Sequence, residues 1–126
     1  MKTDIIQATY AETTRLDIHV LVQRLNAALG PTMVAAAAGA KDRGAPTRWA
    51  KADSSPINTK FEMNLRMTYR AMKAISEAEN VHVARAWFIG ANPILDEDTP
   101  ITAIREGRHR DVVRAFTAVV NDEWAG

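Results

Sequence analysis

An all-α fold is predicted by two observations. Apolar residues recur at three- and four-residue intervals through Thr13–Leu29, Asn58–Glu79, Val81–Ile89 and Asp111–Val120, the spacing that gathers them on one face of a helix. Between these stretches stand Gly30-Pro31, Gly39, Thr99-Pro100 and Gly107, residue types that start or stop helices.

At 126 residues the chain is the length of one domain or of two small lobes sharing a core. The start, MKTDIIQATY, is interrupted by Asp4 and Gln7, so it does not read as a secretory leader, and no apolar run approaches membrane-spanning length. A cytoplasmic location is expected. Cysteine is absent, which removes disulfides, thiolate nucleophiles and Cys-based zinc sites together. Charge is unevenly divided: residues 1–80 hold eleven Lys/Arg against eight Asp/Glu (net +3), residues 81–126 five against seven (net −2). A basic first part beside an acidic second part suggests two kinds of partner.

Residues 1–12 are weakly patterned and read as a frayed arm or the lead-in to a helix. From Thr13 to Leu29 the residues Ile18, Leu21, Val22, Leu25 and Leu29 share one face, and Gly30-Pro31 stops the run. Thr32 is suited to cap a short alanine-rich helix, Met33–Ala38, ended by Gly39. Residues 40–45 form a turn, and Pro46 is acceptable at the first position of a third helix running through Arg48 and Trp49. A long helix, a short one, a glycine-containing turn and a short basic helix follow the helix-turn-helix order, in which the second helix of the pair enters the major groove. Lys41, Arg43, Thr47, Arg48 and Lys51 are the candidates for base edges and phosphates; Trp49 reads as core. Gly44 and Pro46 leave two alternatives. Either this helix begins after Asp42, where proline's missing N–H costs nothing, or DNA reading is weakened.

Leu29-Gly30, the Val34–Gly39 block, Arg48-Trp49-Ala50 and the basic helix after them resemble the Xre-type lobe of Xre/MbcA/ParS-type antitoxins. Pro46 departs from the aliphatic residue usual there.

Asn58–Glu79 carries two apolar stripes, Phe61, Leu65, Tyr69, Met72 and Ile75 on one side and Met63, Met67, Ala71 and Ala74 on the other. A helix apolar on both sides is buried on both sides, so it reads as a wall shared by two lobes or by one lobe and a second subunit. The methionines read as core filler. Beyond it, Val81–Ile89, Pro100–Glu106 and Asp111–Val120 form three short helices around Trp87 and Phe116. Asn92-Pro93, Thr99-Pro100 and Gly107 punctuate them. The expected layout is a helix-turn-helix lobe (1–56), a connecting helix (57–80) and a small three-helix lobe with a C-terminal tail (81–126).

No catalytic constellation is legible. Asp96-Glu97-Asp98 lacks EF-hand spacing and reads as a solvated, capping loop. His19, His82 and His109 are unclustered, and no glycine-rich phosphate loop, HExxH or GxSxG occurs. No cofactor, metal or enzymatic activity is expected.

Trp87, Asn92-Pro93-x-Leu95, Pro100-Ile101, Ile104-Arg105-Glu106-Gly107-Arg108 and the closing Val112-Val113 helix resemble the toxin-binding domain of the same antitoxins. The resemblance implies a RES-domain toxin that degrades NAD as partner, occluded by the C-terminal segment, with contacts at Arg105, Arg108, Asp122, Glu123, Trp124, Ala125 and Gly126. It also implies autoregulation through operator DNA, and a homodimer or higher oligomer is expected. Two other readings stand beside it: a stand-alone regulator whose second lobe dimerises or recruits a partner, and an interaction module with a degenerate DNA lobe.

Overall fold

The computed structural model describes residues 2–122, and among them it is all-helical, without strands. The helices are α1 (Lys2–Arg15), α2 (Ile18–Leu29), α3 (Pro31–Ala38), α4 (Ala45–Trp49), α5 (Thr59–Ala78), α6 (Val81–Ile89), α7 (Pro100–Arg105) and α8 (His109–Val120), with a 3-10 turn at Pro93–Leu95.

The first residues are not a frayed arm: α1 begins at Lys2 and packs along α5 and α8. Its inward residues include Thr9 and Thr13, both buried. Their hydroxyls donate to the carbonyls of Ile5 (2.7 Å) and Thr9 (2.6 Å) one turn earlier. Those bonds satisfy the buried polar atoms without leaving the helix.

Nor is the run from Thr13 to Leu29 continuous. The chain breaks between α1 and α2 at Asp17, whose carboxylate accepts from the backbone N–H groups of His19 and Val20, an N-cap. Gly30 then ends α2 and precedes α3, with Pro31 at the first position of the new helix. Its φ of 87° is one that an L side chain rarely adopts.

Asn58 caps α5 through Lys60 and Phe61. Seven helices make the surround of α5, since α1, α2, α3, α6, α7 and α8 all pack on it and α4 reaches it through the Trp49–Phe61 ring pair at 5.3 Å. Double-sided burial holds for its later part, where Leu65, Thr68, Tyr69, Ala71, Met72, Ala74 and Ile75 are all buried. It does not hold at Met63, which is 57% exposed. Buried residues from Leu21 to Val120 form one cluster, and α3 packs directly on α7. Phe116 is fully buried, as expected, whereas Trp87 is only partly so.

Candidate functional site

The corner made by α3, residues 39–44 and α4 is held from beneath by α2. Asn26 donates to the carbonyl of Pro46 (3.0 Å), His19 Nδ1 to that of Trp49 (2.7 Å) and Gln23 to that of Ala50 (2.7 Å). Spacings of four and three put these three side chains on one stripe of α2, from which they fasten α4 through its carbonyls; that of Pro46 also accepts from the Ala50 N–H at 3.2 Å. The helix begins at Ala45, after Asp42, so Pro46 lies in its first turn, where a missing N–H costs nothing. Of the two alternatives Pro46 left open, the later start is the one observed.

Lys41, Arg43, Thr47, Arg48 and Lys51 are all exposed. Lys51 lies past the end of α4, in the following turn. Arg48 pairs with Asp42 at 2.8 Å. Asp42 also accepts from the Gly44 N–H at 2.8 Å, and these two contacts, the backbone N–H first, hold its carboxyl below the usual range. A Cβ at Gly44 would stand 3.3 Å from Asp42 Oδ1 and 3.5 Å from Arg48 Nη1, so the glycine leaves room for the pair. Lys41, Arg43 and Lys51 make no ion pair among the described residues. Beside them a cleft of about 520 Å³ runs over Arg48, Lys51, Asp53, Ser54 and Ser55.

No protein-family model, curated protein or solved structure matches this chain.

The second set of candidates is dispersed. Arg108 is turned inward upon its own loop: it donates to Asp98 (2.8 Å) and to the carbonyl of Leu95 (3.2 Å), with Glu106 at 3.5 Å and Asp111 at 3.9 Å. Its guanidinium pKa is raised, chiefly by the hydrogen bond to Asp98. Asn92 closes the same loop, its side chain accepting from Ile94 N–H and its carbonyl from Leu95 and Glu97 N–H. Thr99 caps α7 through the Thr102 N–H, and beyond its end Gly107 (φ 81°) is followed by a bond from Arg108 N–H to the Ala103 carbonyl. Arg105 is exposed at the end of α7 and Asp122 is exposed past α8. Glu123, Trp124, Ala125 and Gly126 lie outside the described residues.

One surface was not signalled by any motif. A groove of about 550 Å³ runs between α1 and α5, over Tyr10, Met63, Met67, Arg70 and His109. Arg70 lies across the rings of Tyr10 (4.6 Å) and Phe116 (5.4 Å), a cation–π arrangement. Its Nε is buried without a hydrogen-bond partner, and burial lowers its pKa. Helical spacing alone gave Met63 and Met67 to the core; Met67 does pack against it, whereas Met63 is exposed. Among the described residues no group of three or more His, Asp or Glu converges as a metal site, and no helix is long and apolar enough to cross a membrane.

Proposed function

We propose that the chain is a DNA-binding antitoxin. In this reading α3, the turn and α4 act as a helix-turn-helix on operator DNA, and the acidic C-terminal segment from Asp122 to Gly126 occludes the active site of a NAD-degrading RES-domain toxin. One observation carries the DNA half: α2 side chains bond the inner carbonyls of α4 while Lys41, Arg43 and Lys51 stay in solvent without ion-pair partners among the described residues. Cations so disposed are suited to phosphates, with Thr47 and Arg48 on the exposed side of α4 nearest to base edges. The toxin half rests on the resemblance to Xre/MbcA/ParS-type antitoxins and on the acidic, tryptophan-bearing end of the chain, tryptophan being a favoured interface anchor.

A stand-alone regulator is the second reading, favoured because Lys41, Arg43 and Lys51 make no ion pair among the described residues. As a homodimer it would read half-sites about one helical turn apart, roughly 34 Å. Deleting residues 121–126 separates the two readings. The antitoxin should lose neutralisation of a co-expressed RES-domain toxin, seen as collapse of growth and NAD, while keeping DNA binding. A regulator should lose neither DNA binding nor repression, and should never have neutralised the toxin.

A further inference from the structure

Arg105 stands apart from the loop that uses Arg108. At the end of α3, Gly39 adopts φ 89° and ψ 18°, and the position where a side chain would begin there lies 3.4 Å from Cγ of Arg105 and 4.0 Å from Nδ2 of Asn64. The stem of Arg105 thus lies on the bare backbone of Gly39. A guanidinium reaches only about 4–5 Å beyond its own Cγ, so the charge stays within that reach of the Gly39 contact, and Gly39 is where the turn carrying Lys41 and Arg43 begins. Asn64 fastens the same point from α5, donating to the Ala38 carbonyl at 2.9 Å. Arg105 is exposed and makes no ion pair among the described residues. Glu106, next to Arg105, is occupied by Arg108, and Asp42, in the turn itself, by Arg48.

We infer that Arg105 belongs to the nucleic-acid face and contacts a backbone phosphate beside Lys41 and Arg43, so that this face is built from both ends of the sequence. The inference rests on the DNA reading above. It makes Arg105 a positioning contact without sequence preference, because an arginine laid on the turn reaches backbone and not a groove floor.

The test is the salt dependence of binding to an unrelated duplex of about 30 base pairs, followed by fluorescence anisotropy from about 25 to about 300 mM salt, where each lost phosphate contact removes about 0.9 from the logarithmic slope. Arg105→Gln should lower the slope by about that amount, and Arg105→Lys should restore it. Arg15→Gln removes an equal charge from the end of α1, which packs on α5 and α8, and should leave the slope unchanged. A slope unchanged in Arg105→Gln overturns the inference while leaving the DNA reading intact. If that variant instead fails to protect cells from a RES-domain toxin, Arg105 belongs to a protein interface. No duplex binding by the unsubstituted chain overturns the DNA reading, and this inference with it.

Discussion

In the corner of residues 39–49, polar side chains reach up from α2 to hold backbone carbonyls, and Lys41 and Arg43 remain in solvent. In the loop of residues 92–108 the roles are reversed. A cation, Arg108, supplies the internal clamp through Asp98 and the Leu95 carbonyl, and the chain closes on itself through Asn92. Both regions use glycine and proline at the same kinds of position, so punctuation does not tell them apart. The difference lies in where charge is spent. A partly buried cation with several partners within the chain, as at Arg108, has little left for another, whereas Lys41 and Arg43, held in water by a rigid platform, keep their attraction for an anion.

Substitutions should break the two regions differently. Arg108→Ala should have the largest effect, a clear fall in the denaturant midpoint, since it removes the bonds to Asp98 and to the Leu95 carbonyl together. An unchanged midpoint would put Arg108 with the free cations. Asn92→Ala should cost about 1–2 kcal/mol through the lost cap. On the other side of the comparison, Asn26→Ala should cost about 1 kcal/mol. It should also weaken duplex binding, because α4 loses its support without any change in charge.

A pH effect separates the regions further. His109 bonds Asn64 Oδ1 at 2.8 Å, and burial lowers its pKa from the ordinary value of 6.5. The unfolded chain therefore takes up the proton more readily than the folded one. The stabilising contribution is complete above 6.5 and is lost as pH falls through the lower folded value. Thermal unfolding followed between neutral pH and about pH 5 should show this decline in the unsubstituted chain, and His109→Gln should flatten it. The smallest effect is expected at Arg43→Ala, within about 0.5 kcal/mol for stability, with weaker DNA binding at low salt.

Much of the architecture was legible in the residues. Thr99-Pro100 and Gly107 act where their chemistry predicts, because a cap or a left-handed residue depends only on its neighbours in sequence. The misses share another cause. Residues 1–12 read as weakly patterned because buried Thr9 counts as polar on any hydropathy scale, although its hydroxyl is satisfied within the helix. Asp17 could have been seen as a cap, being an aspartate just ahead of an apolar run. Met63 and Arg108 were beyond reach. Exposure at one depends on α1, and the partner of the other comes from a loop closed ten residues away.

The position of α1 bears on how the protein is made. Its main partners are α5 and α8, so α1 lacks most of its seat until residues 59–78 exist, and that seat is complete only with residues 109–120. Until then its apolar side chains, Ile5 and Ile6 among them, stay without the cluster they pack against. A nascent chain halted in the α4–α5 connection should therefore be prone to proteolysis and chaperone capture. Moving α1 to the C-terminus by circular permutation should relieve that exposure while leaving the finished fold unchanged.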